Sequence, residues 1–513
     1  MPTKTAEPDF ADAPWSVDTA PALCIGESCW SYAELQQLVA ERVQTLRRLG
    51  LGDDTKQIVN LNPVVVCNAR PGLDLLLMQH ALARMGAALL PVRPDLDAAA
   101  VQALIRQTGA EWRWLPGTGV DGLLPTSQAA LDNAASGMLT NATSDRLAVL
   151  IQTSGSSGAA KAVMLTTRAV LASCALINSV LTLGSNDEWL CCLPLQHVSG
   201  LAIGYRCALA GATMRLQTGL AGGFDLAAVA TDLARGRVTH LSLVPPMLER
   251  LLHAGIEPPP SLRVLLLGGQ ALHSSLARGA VEAGWPLYIT YGMSETFSQV
   301  ATAAYTLTHE PSTRIGPPLP GVELDCPRCT SSPRALRLRG PMLMAGYANP
   351  ARRPGDGLCD GWLETADLAC LDVDGALHVQ GRADDVLVIG GMNILPALVE
   401  ERLARAPGVH SVAVVGLSHP IWGQTLAACY TGDSARSDID AWCRRHLPSA
   451  ERPRIFVHCA DLPLLASGKL DRVHCWNWHP DTHPDNGSVA LRKIAALASR
   501  ALLQVSRASV KRR

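Results

Sequence analysis

The chain has 513 residues, a net charge of −1 at pH 7 and hydrophobic residues at 48% of its positions. This length exceeds what one hydrophobic core serves, so we expect two or more domains. The balanced charge gives no electrostatic reason to expect a nucleic-acid partner, which directs the search for function to a pocket. Residues 1–12 mix acidic and basic side chains without an apolar run, which predicts no secretory signal.

Fifteen cysteines in a long chain with no visible signal predict reduced thiols and a cytoplasmic protein. Cys326 and Cys329 form a CxxC pair without a second pair nearby, so neither a zinc site nor a redox role is expected there. Cys191 and Cys192 lie in an apolar run and are predicted to belong to the core.

Helical and extended patterns alternate in the N-terminal part, at 31–49, 63–67 and 73–92. The last of these is the most apolar stretch of the chain. Three polar residues interrupt it, so we expect a buried helix and strand there and not a membrane span. The alternation predicts βαβ units of a parallel sheet.

A loop of small residues separates two aliphatic runs at 147–151 and 162–165, which predict buried strands. Its glycines would let the backbone approach an anion, to which hydroxyl groups and one lysine would donate. The loop residues concerned are Thr153, Ser154, Gly155, Ser156, Ser157, Gly158 and Lys161. The alternative is a Ser/Gly linker. A Walker A loop is excluded, because Lys161 follows Ala160 and leads into a strand.

This loop resembles the signature of the acyl-adenylating superfamily, which includes acyl-CoA synthetases, peptide-synthetase adenylation domains and luciferases. The resemblance implies that the loop binds the phosphates of ATP and that Lys161 takes part in catalysis. The sequence departs from the family pattern at Ala160, where the family usually has proline; the change removes some stiffness but no hydrogen-bond donor. Thr166 or Thr167 is expected to cap a following helix.

An apolar strand that begins at Trp189 breaks at Pro194 and carries His197 and Ser199 beyond its end. A lone histidine in such a place is more often structural than functional. However, the segment resembles the family motif whose histidine borders the acyl pocket and the phosphate site, although Gln196 stands where an aromatic residue is usual. The resemblance therefore makes His197 a catalytic and substrate-binding candidate and Ser199 a substrate-binding one.

The continuation of this segment to Arg206 most resembles the o-succinylbenzoate CoA ligases, the acyl-CoA synthetases of menaquinone synthesis. That acid keeps a second carboxylate after activation, so the pocket must hold a partly desolvated anion. Arg206 is the candidate partner, because its planar guanidinium suits a carboxylate. An ion pair at the domain surface is the alternative for this residue.

Two further strand-and-turn patterns end in candidate nucleotide ligands. The apolar run 264–267 predicts a central parallel strand, at whose carboxyl end an open α/β sheet binds ligands. Segment 286–296 closely matches the family's Tyr-Gly-Met-Thr-Glu motif, with Ser294 in place of threonine. The resemblance assigns Glu295 to magnesium, which takes one or two carboxylates together with phosphates. The nucleotide-binding residues implied here are Gly268, Gly269, Gln270, Tyr291, Gly292 and Ser294.

Beyond residue 314, short β patterns between frequent turns predict a small β-rich part. Asp367 would accept hydrogen bonds from both ribose hydroxyls, although the family has glycine at Ala366 and the alternative is a surface turn. The next motif, 381–394, resembles the family hinge. It implies that Arg382 donates to the ribose and that a C-terminal lid turns about Asp384. Gly390 and Gly391 would then line a tunnel for the pantetheine arm of coenzyme A.

Four patterns predict a compact α/β lid: helices at 398–406 and 439–447, and strands at 409–415 and 426–430. A glycine-flanked loop with Lys469 follows them. It resembles the loop of the family's mobile catalytic lysine, whose ammonium bridges the carboxylate and the α-phosphate. A surface lysine is the alternative, which the spacing of Lys469 from the hinge disfavours.

The predicted fold class is α/β. A large N-terminal domain of stacked α/β layers with a small β-rich part is expected over 1–383, a small mobile α/β lid over 384–479 and a basic tail over 480–513. The tail carries a helical apolar stripe at 489–505, which predicts a docked or fraying helix, or alternatively contact with a membrane surface or a partner.

The resemblance implies an acid–thiol ligase that forms an acyl adenylate and then a thioester with coenzyme A, from o-succinylbenzoate or a similar aromatic or keto acid. ATP, Mg²⁺ and coenzyme A are the expected cofactors, with neither a nucleic acid partner nor a transmembrane segment. One alternative is an adenylating enzyme that loads a carrier protein. Another is a catalytically silent binding homologue, which the retained Lys469, Glu295 and Asp367 disfavour.

Overall fold

The computed structural model describes residues 20–51, 62–114, 123–126, 145–153, 161–307, 313–330, 332–419, 421–464, 470–472 and 475. Its helices are α1 (Tyr32–Arg48), α2 (Leu73–Met85), α3 (Ala98–Thr108), α4 (Thr167–Val180), α5 (Val198–Ala210), α6 (Leu226–Ala234), α7 (Pro245–His253), α8 (Ser274–Glu282), α9 (Pro396–Leu403) and α10 (Arg436–His446). Within these ranges, no helix is long and apolar enough to cross a membrane.

The strands of the same ranges form four sheets. They are β1 (Pro21–Ile25), β2 (Ser28–Ser31), β3 (Val64–Asn68), β4 (Ala88–Val92), β5 (Trp112–Trp114), β6 (Leu123–Pro125), β7 (Leu147–Thr153), β8 (Lys161–Thr166), β9 (Glu188–Cys191), β10 (Thr213–Leu216), β11 (His240–Leu243), β12 (Val264–Leu267), β13 (Leu287–Met293), β14 (Ser298–Ala304), β15 (Arg314–Gly316), β16 (Glu323–Asp325), β17 (Arg334–Arg339), β18 (Gly346–Tyr347), β19 (Leu358–Cys359), β20 (Trp362–Leu371), β21 (Leu377–Arg382), β22 (Leu387–Ile389), β23 (Met392–Ile394), β24 (Val412–His419), β25 (Gly423–Tyr430) and β26 (Ile455–His458).

Helix α1 shows how local sequence sets an element. The Ser31 hydroxyl accepts a hydrogen bond from the Glu34 N–H at 3.2 Å, and Glu34 Oε2 accepts one from the Ser31 N–H at 2.8 Å. This reciprocal capping satisfies two donors that the first turn would otherwise leave exposed. The helix then buries Leu35, Val39 and Leu46, which recur at helical spacing and join the main hydrophobic core.

The first sheet has the strand order β14-β13-β12-β11-β9-β10-β1-β2. Strands β9 to β13 are parallel to their neighbours, and β14 runs antiparallel to β13. Every residue of β12 is buried, which confirms the predicted central parallel strand. The carboxyl ends of β11, β12 and β13 therefore meet at one edge of the sheet, where ligands bind in open α/β sheets.

The second sheet has the order β18-β8-β7-β4-β3-β5-β6. Strands β3 and β4 are parallel and α2 connects them, which confirms the predicted βαβ unit. The two predicted strands beside the small-residue loop, β7 and β8, pair antiparallel with Ile151 opposite Val163. Thr166 caps α4, as predicted, by accepting a hydrogen bond from the Ala169 N–H at 3.2 Å.

The third sheet, β15-β21-β20-β17-β16 with β19 beside β20, is the predicted β-rich part, and its Leu336, Leu338 and Leu377 join the main core. The C-terminal elements form a fourth sheet, β23-β22-β25-β24, with β26 beside β25. Two hydrophobic clusters of this region draw their described members from residue 387 onward. The predicted lid helices and strands correspond to α9, β24, β25 and α10. The proposed domain boundaries stay predictions, and the tail lies outside the described residues.

The expectation of reduced thiols is wrong for four cysteines. Cys24 is bonded to Cys29 and Cys329 to Cys370, while the other eleven cysteines are free. The first pair lies directly opposite in the antiparallel β1–β2 register, where Cα atoms come close enough to bridge. Cys326 stays free, so the CxxC pair is not itself a disulfide. Cys191 and Cys192 are buried, as predicted.

Candidate active site

A hydrogen-bond network links the first sheet, the third sheet and the start of the lid. The Tyr291 hydroxyl donates to Asp367 Oδ2 at 2.5 Å, and Arg382 Nη1 lies 3.4 Å from Asp367 Oδ1. Arg382 also donates from Nε and Nη2 to the two carboxylate oxygens of Asp384, both at 2.9 Å. Four residues predicted from three separate motifs are thus brought together. Asp367 lies within strand β20, not on a surface turn.

The surroundings of these hydrogen-bonded residues raise the pKa values of Tyr291 and Arg382. Burial, with the neighbouring Asp367 carboxylate as the second cause, raises the pKa of Tyr291 well above its ordinary value. The hydrogen bond to Asp384 raises the pKa of Arg382. At neutral pH Tyr291 is therefore a hydrogen-bond donor and Arg382 a cation. Each Asp367 oxygen has a second lone pair, so the carboxylate can accept two further hydrogen bonds.

A second group joins the phosphate loop to the predicted magnesium ligand. Tyr347 donates its hydroxyl proton to Glu295 Oε1 at 2.8 Å, and Lys161 Nζ lies 4.5 Å from the centre of the Tyr347 ring. Lys161 opens β8, Tyr347 lies on the neighbouring β18 and Glu295 follows β13. The edge of the second sheet therefore meets the carboxyl edge of the first one here. One aromatic side chain thus contacts a cation with its ring and a carboxylate with its hydroxyl group.

Two glycines at the carboxyl edge of the first sheet have no room for a side chain. A Cβ at Gly292 would lie 1.8 Å from the Ser298 carbonyl oxygen, and a Cβ at Gly268 would lie 2.6 Å from the Thr290 methyl group. Gly269, the next residue, is exposed and has φ +87°. The carboxyl edge therefore presents a backbone surface without side chains at these three glycines; that an aromatic base lies on it stays a prediction.

Gln270 continues that surface and contacts the lid. Its Oε1 accepts a hydrogen bond from the Leu470 N–H at 3.1 Å. Leu470 directly follows Lys469 in the chain. Lys469 itself lies outside the described residues, as do Ser154, Gly155, Ser156, Ser157 and Gly158 of the phosphate loop. Their predicted roles stay predictions.

The other predicted residues surround this region. Thr153 donates its hydroxyl proton to the Lys161 carbonyl at 3.2 Å and so closes the β7–β8 hairpin. Ser294 is half-buried in a 3₁₀ turn that follows β13. His197 is the N-cap residue of α5, and Ser199 lies in the first turn of the same helix; both are half-buried.

Arg206 lies in the interior and not in a surface ion pair, so the surface alternative is wrong. Its exposed fraction is 1%, and Nη2 donates to Gln299 Oε1. The guanidinium lies over the Trp189 ring at 5.6 Å, and Nε has no hydrogen-bond partner. Within the described ranges no carboxylate lies within ion-pair distance. Burial lowers the pKa of Arg206 to about 10, so it is still protonated at neutral pH.

The hinge candidates lie where the third sheet passes into the lid. Asp384 is in a 3₁₀ turn, Ala383–Asp385, directly after β21. Gly390 and Gly391 form the exposed turn between β22 and β23. Their predicted place in a tunnel for the pantetheine arm stays a prediction.

Glu295 is suited to be a carboxylate ligand of magnesium. In the described part of the chain, no group of three or more His, Cys, Asp or Glu side chains could enclose a metal ion. Magnesium usually takes one or two carboxylates and completes its coordination with phosphate oxygens and water. Glu295 offers a half-buried carboxylate whose Oε1 is held by Tyr347, which fits that pattern.

Comparison with protein families identifies the scaffold. The model of the AMP-binding enzyme family matches residues 16–348, and that of the AMP-binding enzyme C-terminal domain matches residues 398–469. The chain belongs to the AMP-binding enzyme family. The two matches fall on the large N-terminal part and on the lid.

Several relatives of this AMP-binding enzyme are ligases of 2-succinylbenzoate (o-succinylbenzoate) and coenzyme A. A 2-succinylbenzoate–CoA ligase from Staphylococcus aureus is 30% identical over 331 residues, 64% of this chain and 66% of that protein. The o-succinylbenzoate CoA synthetase MenE from Bacillus subtilis, in complex with the acyl adenylate OSB-AMP, has a TM-score of 0.75 at 24% identity over 91% of this chain and 98% of that one. An E. coli MenE variant with bound OSB-AMS has a TM-score of 0.74 at 26% identity, covering 93% and 99%. The α/β fold with a small C-terminal domain is therefore shown.

Sequence reasoning missed three residues of the AMP-binding enzyme's site. Tyr347 is a single aromatic residue in the turn-rich region, and no periodic pattern marks it. Gln299 lies on β14, five residues after Ser294, yet its partner Arg206 is 93 residues away. Glu401 of the lid contacts Ser274 across 127 residues. Each residue acts through a long-range contact, which a local pattern does not reveal.

Proposed function

We propose that this protein is an ATP-dependent acid–CoA ligase that acts through an acyl adenylate, with 2-succinylbenzoate as the acid. The activity of the similar 2-succinylbenzoate–CoA ligases supports this assignment. One observation carries the choice of a dicarboxylic acid: Arg206 is a fully buried cation whose charge no described carboxylate neutralises.

A buried cation without a counter-ion destabilises the protein by several kcal/mol, because it loses its hydration. A substrate carboxylate beside Arg206 would supply the missing charge and accept a hydrogen bond from the orphan Nε. Gln299 and Trp189 would hold the guanidinium plane in place for it. His197 and Ser199 lie at the start of the helix that carries Arg206, so the reacting carboxyl group would lie toward that end.

The first half-reaction joins the acid to the nucleotide. An oxygen of the reacting carboxylate attacks the α-phosphorus of ATP, the bond to the β-phosphate oxygen breaks, and pyrophosphate leaves with the bonding electrons. Lys161 and the phosphate-loop donors would bind the triphosphate, Asp367 and Arg382 the ribose, and Gly268 with Gly269 the base. Glu295 would hold Mg²⁺, which neutralises phosphate charge when bound. Lys469 would stabilise the charge that builds up between carboxylate and phosphate.

The second half-reaction transfers the acyl group. The deprotonated thiol of coenzyme A attacks the acyl carbon, and the bond to the AMP phosphate oxygen breaks, so the thioester and AMP are the products. Lys469 and the thiol would need the same approach to the acyl group, one after the other, which requires the lid to move between the two steps. Asp384 is the proposed pivot, and the Gly390–Gly391 turn would border the path of the pantetheine arm. We place this reaction in the cytoplasm, where ATP and coenzyme A are supplied.

The decisive experiment is ATP–pyrophosphate exchange over a panel of acids, followed by a choice of thiol acceptor. We expect exchange with 2-succinylbenzoate to exceed exchange with benzoate, succinate and fatty acids by tenfold or more. Thioester should then form with coenzyme A. Exchange that prefers a monocarboxylic acid would contradict the assigned substrate. Thioester formation on a carrier protein but not on coenzyme A would contradict the assigned acceptor.

A further inference from the structure

Glu401 is a lid residue whose carboxylate is buried against the large N-terminal part. It lies on α9, with an exposed fraction of 8%. Its Oε2 accepts a hydrogen bond from the Ser274 N–H at 3.2 Å, and its Oε1 accepts one from the Ser274 hydroxyl. His273 Nδ1 lies 3.6 Å from Oε2. The lid and the large N-terminal part therefore meet at this carboxylate.

The contact supplies a side-chain hydrogen-bond acceptor that α8 lacks at its N-terminus. This helix starts at Ser274, and its N-cap residue, His273, makes no side-chain capping bond. The first N–H groups of a helix have no partner within the helix and attract negative charge. The lid thus provides the terminal carboxylate of a helix that belongs to the N-terminal part. When the lid leaves, the helix terminus loses this carboxylate, whereas Glu401 keeps Arg405 of its own helix, whose Nη2 lies 3.3 Å from Oε1.

The segment held by Glu401 is the one proposed to bind the adenine. Residues 268–274 run from the end of β12 to the start of α8 and include Gly268 and Gly269. The lid contacts this segment twice, through Glu401 at Ser274 and through the Leu470 N–H at Gln270. Leu470 follows Lys469 directly. The same short segment therefore borders the proposed nucleotide site and docks the loop of the predicted catalytic lysine.

Two further contacts between the lid and the N-terminal part lie on α7. Ser411 donates its hydroxyl proton to Glu249 at 2.5 Å, and the rings of His253 and His410 are 5.1 Å apart. These contacts also hold the lid, but they do not touch residues 268–274. Glu401 is distinguished from them by its position on the nucleotide-side segment.

We infer that Glu401 is a positioning residue for adenylation: it holds the lid on segment 268–274 so that Leu470 docks on Gln270 and Lys469 is presented to the nucleotide. This inference rests on the proposed function and deepens it. The second half-reaction requires the lid to turn away, so it does not need this contact. Loss of Glu401 should therefore affect the two half-reactions differently.

The test measures both half-reactions in Glu401→Ala, with Glu451→Ala as the matched control. Glu451 pairs with Arg402 of the same helix, but that pair lies within the lid. We expect Glu401→Ala to lower kcat/KM of ATP–pyrophosphate exchange by about tenfold or more, while thioester formation from supplied acyl adenylate is unchanged or faster. Glu401→Gln keeps an acceptor oxygen, so its kcat/KM of ATP–pyrophosphate exchange should lie between those of the wild type and Glu401→Ala. Glu451→Ala should change neither rate by more than about twofold. Equal losses in both half-reactions, or no loss in either, would overturn the inference.

A second measurement does not depend on activity. Hydrogen exchange followed by mass spectrometry should show faster exchange of the amides at 274–277 in Glu401→Ala, by about tenfold. Ser274→Ala should have a smaller effect, because it removes the hydroxyl bond and keeps the backbone N–H bond to Glu401. The double variant should match Glu401→Ala, because both substitutions act on the same carboxylate. Unchanged exchange at these amides would overturn the inference. Faster exchange in a protein whose wild type activates no acid would leave the contact standing and reject the proposed function.

Discussion

At the scale of single residues, Arg206 carries its charge in the interior with an amide oxygen, that of Gln299, as its described hydrogen-bond partner. An arginine needs several acceptors, since its planar group carries five N–H donors. The unpartnered Nε shows that the surrounding side chains leave part of this demand unmet. Such a group suits a site that an anionic ligand completes.

Arg206→Ala should therefore raise the KM for 2-succinylbenzoate by about tenfold or more, as expected when a charged partner worth ~1.5–3 kcal/mol is lost. The KM for ATP should change little. A monocarboxylic analogue should lose little from the same substitution, because it has no second anion to leave unpaired. Steady-state kinetics with both acids test this prediction. If the substitution changes the KM for the diacid and for the monoacid equally, Arg206 does not bind the second carboxylate.

Lys469 has a predicted role that is limited to one transition state. Lys469→Ala should lower the rate of ATP–pyrophosphate exchange by about 10²- to 10³-fold, the usual effect of removing one preorganised donor. Thioester formation from supplied acyl adenylate should stay nearly normal. Comparable losses in both assays would indicate instead that Lys469 maintains the fold.

At the scale of elements, the 3₁₀ turn Ala383–Asp385 joins the third sheet to the lid with few restraints. Its three residues are exposed, and the hinge side chain, Asp384, is held by Arg382. A short exposed turn between two separately packed bodies can absorb a change of backbone dihedrals without disturbing either core. The element therefore suits the pivot that the two-step chemistry requires.

Asp384→Pro should slow thioester formation by roughly tenfold or more while adenylation changes less, because proline fixes φ at the proposed pivot. Asp384→Ala is the control, since it removes the bond to Arg382 but leaves the backbone free to rotate. Single-turnover measurement of each half-reaction separates the two effects. If the proline and alanine variants behave alike, the pivot lies at another residue.

At the scale of the whole molecule, two disulfides accompany a proposed cytoplasmic function. Cys329–Cys370 joins residues 41 positions apart, a loop whose closure restricts the unfolded chain. Disulfides seldom persist in a reducing cytosol, so these two bonds and the proposed location predict different thiol counts in cells.

Counting thiols tests these disulfides directly. Unfolded protein alkylated without reductant should incorporate eleven alkyl groups, and fifteen after reduction, because four of the fifteen cysteines are paired. The count is obtained by intact mass spectrometry of protein quenched with acid at cell lysis. Fifteen groups in both samples would restore the expectation of reduced thiols.

The sequence by itself determined the local elements and the chemistry of the motifs. Buried four-residue runs such as Val264–Leu267 became parallel strands, and Ser31 and Thr166 capped helices, because hydrophobic period and capping depend on neighbours within a few positions. The α/β class and the lid followed from the order of such elements. The candidate site residues, which lie at the ends of strands, were predicted from the motifs that contain them.

Only the tertiary structure decided which of these residues meet. It placed Tyr347 between Lys161 and Glu295, Gln299 on Arg206 and Glu401 on Ser274, and it selected the cysteine pairs. These partners come from different sheets or from the two sides of the hinge. Their proximity depends on strand order, register and docking of the lid, which arise from burial summed over the whole core and leave no local pattern in the sequence.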